Sequence, residues 1–232
     1  CRFFDKRIGQ STTLTGRSIA RHMAGHINEC ITGVKDHVGE SIIYGDTDSC
    51  YFTAWPVLKK EVEAGNMEWS KEICIQLYDG IADQINESFP VFMEQAFHCP
   101  REAGALIKAG RELVASNSLF ITKKRYAALI YDLEGKRLDV EGSPGKIKAM
   151  GLDLKRSDTP KVIQDFLLEI LNSTLHGADR ESIIERIREF KYEFMERPGW
   201  EKGSPKRVNN LTKYAAEEAR LGKANMPGHV RA

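Results

Sequence analysis

The chain has no apolar run approaching the roughly 20 residues that cross a bilayer, and no basic-then-apolar leader opens it. No membrane partner is expected, and a cytoplasmic location is. Cysteine is scarce. The five present, Cys1, Cys30, Cys50, Cys74 and Cys99, are odd in number, widely spaced and without a Cys-x-x-Cys pair. That pattern argues against a disulfide framework or a zinc knuckle and fits a reducing compartment. Internal repeats are lacking, and so is an initiating methionine, so the chain is expected to be a piece of a longer protein. A leading cysteine is also what protein splicing leaves behind, although a cut made for expression is the plainer reading.

A strong net charge is missing too: the balance is +1 over 232 residues. Its distribution is uneven. Residues 1–100 carry 9 Lys/Arg against 14 Asp/Glu, residues 101–161 carry 13 against 8, and residues 201–232 carry 7 against 3. The positive excess lies in the second half, on segments suited to a polyanion. With 41% hydrophobic and 29% charged residues, the chain has the composition of a globular protein and the length for one large domain or two small ones.

Ile19, Met23, Ile27, Ile31 and Val34 recur at three-to-four spacing behind Ser11, Thr12 and Thr13, which predicts a capped helix over about 12–34. The stretch SIIYGDTDSCYF, Ser41 to Phe52, then places Gly and Asp turn formers between two β-rich runs. It predicts a hairpin with Asp46 and Asp48 at its tip. Glu68 to Phe89 carries Ile73, Leu77, Ile81 and Ile85 at helical spacing, with an interruption expected at Pro90. Beyond it ALIKA, ELVA, LFIT, YAALIYD and RLDVE read as strands, with turns at LEGK and GSPG. From Ser157 the pattern returns to helix: Thr159 as cap, Pro160 at the first helical position, then an apolar face through Val162, Phe166, Leu167, Ile170 and Leu171 to Gly177. A second helix is expected over about 180–196, and TKYAAEEARLG is helix-prone. The fold class is α+β, an antiparallel sheet with packed helices, followed by a mostly helical part; a border near residue 150 divides 1–150 from 151–232.

Two carboxylates this close resist ionising together unless a cation sits between them, and hard oxygen ligands suit a divalent ion. Nucleotidyl transfer, phosphatase chemistry of the haloacid dehalogenase type and Mn-dependent glycosyl transfer all use an Asp-x-Asp pair. The flanks separate them. The phosphatase pattern expects a loop and helix after the pair, where SCYFTA returns as a strand. Glycosyl transfer needs a nucleotide-binding half ahead of the pair, where this chain has mostly helix. His22, His26 and Cys30 also fall at helical spacing, but Met23 stands where a zincin has Glu, so a packed or solvated face is expected.

The motif YGDTDS, Tyr44 to Ser49, resembles the third polymerase motif of family B DNA polymerases. KKRY, Lys123 to Tyr126, resembles the downstream primer-template motif of that family. KIKAMGLDLKRSDTPK, Lys146 to Lys161, is similar to the start of the thumb in the T-even-like bacteriophage branch, as are RVNNLTKY and MPGHVRA, and CRFFDKR is similar to the stretch after the fingers helix. The ordered set covers essentially the whole chain.

The resemblance implies the C-terminal part of a polymerase palm over 1–150 and a partial thumb over 151–232. It implies Asp46 and Asp48 as catalytic, metal-holding residues, with Asp48 the direct ligand and Asp46 in support. Tyr44, Gly45 and Thr47 would shape the tip against the primer end. Glu112 resembles a further acidic residue near the metals, although Gly110 stands where the family has aspartate. Lys123, Lys124, Arg125 and Tyr126 would contact the duplex, and Lys155 and Lys161 primer phosphates from the thumb. The implied cofactor is Mg²⁺ in a two-metal site, or Mn²⁺. The implied partners are primer-template DNA, deoxynucleoside triphosphates, the N-terminal remainder of the polymerase and a sliding clamp.

The family's upstream Asp-x-x-Ser-Leu-Tyr-Pro motif, its fingers-helix lysine and a proofreading exonuclease are not in this sequence; SNSLF, Ser116 to Phe120, lacks the lysine and follows YGDTDS in the wrong order. The chain alone is therefore expected to be inactive. A non-catalytic duplex-DNA-binding module is the alternative, ahead of a phosphatase or glycosyltransferase.

Overall fold

The apolar stripe from Ile19 lies on α1, Lys6–Thr32, in the computed structural model, which describes residues 5–140, 142–205 and 211–222. The helix starts earlier than the sequence predicts because Asp5 is its cap, its carboxylate accepting the Arg7 amide at 2.8 Å. Thr12 and Thr13 instead turn their hydroxyls back to the Ile8 and Gly9 carbonyls, at 3.0 and 2.9 Å. Gly33, at φ 77°, ends the helix.

A hairpin follows, β1 (Ile42–Asp46) and β2 (Ser49–Phe52), antiparallel with Asp46 opposite Ser49. Then come α2 (Trp55–Glu63), which the periodicity does not reveal, and α3 (Lys71–Phe97). Pro90 lies inside α3 and does not interrupt it. An internal proline costs about 3 kcal/mol, whereas Ile81, Ile85, Phe89 and Met93 are all buried on one face, each contributing roughly 1.5–3 kcal/mol. The short α4 (Arg101–Gly104) closes on the proline, where a Cβ on Gly104 would stand 3.1 Å from the Pro90 Cα. ALIKA is not a strand: the Asn86 side chain accepts the Ala109 amide and donates to its carbonyl, at 2.7 and 2.9 Å, taking the place of a strand neighbour.

ELVA and LFIT form one long strand, β3 (Leu113–Thr122), paired with β4 (Arg125–Leu133). β5 (Lys136–Arg137) pairs antiparallel with β4 through the expected turn at Glu134 and Gly135, and β6 (Lys146–Met150) also pairs with β4. Among the described residues of RLDVE only Arg137 is strand. Gly145, at φ 125°, lies so close that a Cβ would stand 2.3 Å from the Ile130 carbonyl oxygen.

By its contacts the chain forms two compact units, one of residues 1–116, 122–124 and 129–146, the other of 117–121, 125–128 and 147–232. In the first, Ile27 of α1 and Ile81, Ile85 and Phe89 of α3 make a core against which Ile42, Cys50 and Phe52 of the hairpin pack. In the second, a short 3-10 turn (Asp153–Lys155) precedes α5 (Lys161–Leu175) and α6 (Arg180–Glu196), where Phe166 stacks on Phe190 at 3.7 Å between ring centres. Pro160, not Thr159, is the residue that caps α5. The chain continues through α7 (Gly199–Lys202) and α8 (Leu211–Leu221). Antiparallel sheets with packed helices make the fold α+β. CRFFDKR, RVNNLTKY and MPGHVRA lie largely or wholly outside the described residues.

Asn28 ties α1 to the hairpin. Its carbonyl oxygen accepts the Ser41 hydroxyl at 2.7 Å and the Ser41 amide at 3.2 Å, with both residues almost fully buried. Gly39 must be glycine to pass it, since a Cβ there would meet the Asn28 amide nitrogen at 2.1 Å. Replacing Asn28 by Ala strands the Ser41 hydroxyl and amide in the interior, and urea unfolding should show a loss of about 1–3 kcal/mol; an unchanged midpoint would contradict this role.

His22 lies half-buried, its Nε2 within 2.9 Å of the Ser88 hydroxyl and its ring stacked on Phe92 at 4.0 Å. Burial above all, then the charges of Lys35 and His26, push its imidazole down to about 4 from 6.5. A depressed imidazole favours folding above its unfolded value, so this contribution is lost as pH falls from 6.5 towards about 4. In His22→Gln the decline in stability over that window should be shallower than in the wild type, measured by urea midpoints; equal slopes would disprove it.

Candidate metal and duplex site at the hairpin tip

Strand alternation assigns the tip residues to faces. Ile42, Tyr44 and Asp46 are partly buried, whereas Ile43 and Gly45 are exposed. Thr47 and Asp48 form the two-residue turn, Thr47 in the left-handed region at φ 34°. Such a backbone is costly for a β-branched residue and is kept only where the surroundings impose it. Three contacts hold the hairpin that carries it. The Ser41 carbonyl accepts the Thr53 amide at 2.8 Å and closes the hairpin base. Asn28 holds the chain entering β1. Tyr78 of α3 accepts the Ala54 amide at 3.2 Å just past β2. Burial pushes the Tyr78 phenol up to about 12 and the Cys50 thiol up to about 11, so neither is an ionising group of the site.

At the tip, the Thr47 hydroxyl donates to Asp46 Oδ1 at 3.2 Å, and Ser49 donates to the Asp46 carbonyl at 3.2 Å. Asp48 is exposed, and its carboxylate makes no hydrogen bond or ion pair among the described residues. The partner of the tip comes from far along the chain. In the β3–β4 turn, Lys124 adopts φ 61°, donates its amide to the Tyr44 hydroxyl oxygen at 2.8 Å, and places its ammonium 3.9 Å from Asp46 Oδ2.

The structure thus brings Tyr44, Asp46, Thr47, Asp48 and Lys124 together. Lys123 is exposed in the same turn. Arg125 donates to the Gly151 carbonyl at 3.1 Å and to Asp153 at 2.9 Å. Tyr126, expected at the duplex, is buried with its ring 5.5 Å from that of Phe120, because β4 is flanked by strands on both sides. Glu112 precedes β3 and offers its backbone carbonyl to the Glu134 amide at 2.7 Å. Among the described residues no three His, Cys, Asp or Glu side chains gather into a metal-holding group, so Glu112 is not assembled with the aspartates. Lys155 and Lys161 are exposed in the second unit, Lys161 paired with Asp165 at 2.5 Å.

No family model matches the chain. It is 28% identical over 228 residues to the DNA-directed DNA polymerase of Enterobacteria phage T4, covering 92% of this chain and 24% of that protein. It is likewise 28% identical over 190 residues to the DNA-directed DNA polymerase of Escherichia phage RB69, 77% of this chain and 20% of that protein. A DNA polymerase of Thermococcus kodakarensis is 24% identical over 188 residues, 81% of this chain and 9% of that protein. The chain is thus similar over most of its length to the DNA-directed DNA polymerases of these phages. It spans about a quarter or less of the length of these curated relatives.

The residues that sequence reasoning missed are the supports. Asn28 interrupts the apolar stripe beside Ile27, and a polar residue on a buried face is the available signal. Tyr78 sits beside Leu77 on the buried side of α3, its hydroxyl disguised among apolar neighbours. Arg111 joins Asp79 of α3 to the buried Asp132 of β4, and nothing local marks that pairing. The Tyr44 contact makes a checkable statement: Tyr44→Phe should leave the Lys124 amide without its acceptor, raise its hydrogen-exchange rate and cost about 0.5–1.5 kcal/mol. Unaltered exchange at Lys124 would refute the clasp.

Proposed function

We propose that this chain supplies part of the palm and the start of the thumb of a DNA-directed DNA polymerase, with the hairpin tip as one half of its metal site. The observation that carries the reading is the junction of the two motifs. The acidic tip and the basic turn touch through Tyr44 and Lys124, 80 residues apart in sequence, in a chain similar over 92% of its length to a phage polymerase.

The donor set fits Mg²⁺ or Mn²⁺: carboxylate oxygens are hard ligands, and Asp48 offers both of its own to solvent. Asp48 would be the direct ligand, with Asp46 in support. When bound, such ions activate a primer 3′-hydroxyl and neutralise the leaving pyrophosphate. The chain's own residues would do the rest. Gly45, exposed and without a side chain, leaves the backbone open to close approach, and Tyr44 fixes the tip. Lys123 and Lys124 would meet the duplex backbone without reading sequence, as copying requires, and Lys155 and Lys161 would do so from the second unit. Deoxynucleoside triphosphates, the remaining polymerase segments and a sliding clamp are the partners this reading assigns.

The test is primer extension with Mg²⁺ by this chain together with the remainder of the polymerase, joined or supplied separately. Changing Asp48 to Ala should reduce extension roughly a hundredfold or more, the scale on which charge-stabilising groups at a reaction centre act, while leaving the urea midpoint unchanged. Extension that survives the substitution would end the proposal. Duplex binding indifferent to Asp48 and to divalent metal, with no extension, would favour the non-catalytic DNA-binding module.

A further inference from the structure

The two carboxylates at the tip are not equivalent. Asp46 is engaged at both oxygens, Oδ1 by the Thr47 hydroxyl at 3.2 Å and Oδ2 by the Lys124 ammonium at 3.9 Å. Asp48 has neither kind of partner among the described residues. A positive charge therefore already stands beside Asp46, two residues from the carboxylate proposed as the direct ligand.

Lys124 is placed there by its backbone rather than by its side chain. The turn is fixed by the left-handed φ of 61° and by the amide bond to Tyr44 at 2.8 Å. The side chain itself remains 66% exposed, against 24% for that of Asp46. An exposed pair at this separation is weak and can exchange partners. The neighbouring cation, Arg125, is committed to Asp153 and the Gly151 carbonyl.

We propose that Lys124 is a tethered counter-cation that couples metal uptake at the hairpin tip to duplex binding. The inference rests on the reading of the tip as a metal site. Without nucleic acid, the ammonium neutralises Asp46 and opposes the approach of a divalent ion to Asp48. When a phosphate backbone draws the ammonium away, the negative potential of both aspartates becomes available to the metal. The coupling is reciprocal: metal at the tip releases Lys124 and strengthens its hold on the duplex. The device suits a site that handles a polyanion and cations together, because it disfavours loading metal where there is no DNA.

The test is Mn²⁺ binding to the full chain, read from the electron paramagnetic resonance signal of free Mn²⁺, with and without a blunt duplex and with no nucleotide present. Binding by the duplex itself is subtracted using Asp48→Asn protein with the same duplex. Without DNA, Lys124→Met should bind Mn²⁺ about three- to tenfold more tightly than the wild type, the size expected for removing one charge near a divalent ion in a high-dielectric setting. Lys124→Arg, which keeps the charge, should stay near the wild-type value. The duplex should raise the wild-type affinity severalfold and that of Lys124→Met distinctly less. Equal affinities and equal duplex increments in wild type and Lys124→Met would overturn the coupling. Should Asp48→Asn bind Mn²⁺ as the wild type does, the metal-site reading itself fails; if it loses binding while Lys124→Met is unchanged, only the coupling fails.

Discussion

A two-stranded hairpin has almost no stability of its own, so the acidic tip depends on what grips its base. The decisive contact is the buried bond between Asn28 of α1 and Ser41 at the start of β1. It fixes where the strand begins and, because side chains alternate, which residues face inward. A slip of one residue would turn Asp46 outward and Ile43 into the core. The apolar contacts of Ile42, Cys50 and Phe52 with α1 and α3 supply attraction without register. The polar bond supplies register, which is why a buried asparagine is kept on an otherwise apolar stripe.

Much of this plan was legible in the sequence, and the failures share a cause. The hairpin could be read because every local cue agreed: β-rich flanks, turn formers between them and an apolar alternation. The turn at Glu134 and Gly135 could be read for the same reason. Pro90 misled because a local rule competes with burial that is only known once Ile81, Ile85, Phe89 and Met93 have a common neighbour. ALIKA misled because β-prone composition does not reveal that Asn86 will occupy the Ala109 backbone. At the site, the aspartates and the KKRY motif were each visible, but their meeting was not. A contact between residues 80 apart is a property of topology, and no window of sequence contains it.

The ionic interior of the first unit also warns against reading every displaced carboxylate as chemistry. Hydrogen bonds from Arg137, then Lys71, hold the Asp139 carboxyl well below the usual range, and Arg137 does the same to Glu72. Arg111 spans Asp79 and the buried Asp132. These groups are already matched with fixed cations, so they join α3 to the sheet and have no charge left for a ligand. Asp48 is the contrasting case, a carboxylate with no partner in the described chain. A displaced titration alone therefore does not single out a ligand-holding group, because structural ion pairs displace it too.

The tip and the basic turn stabilise one another in a particular way. Thr47 and Lys124 both hold left-handed backbone that ordinary turns give to glycine, and neither turn is covered by apolar side chains. The phenol of Tyr44, which reaches from β1 to the Lys124 amide, links them. An apolar clasp would have filled the space around the aspartates and excluded water from it. A single hydrogen bond to the Lys124 backbone links the turns without covering their exposed side chains, Asp48 and Lys124. The two left-handed turns thus set the Asp46 carboxylate and the Lys124 ammonium side by side, and strain at Thr47 and Lys124 is the cost of that arrangement.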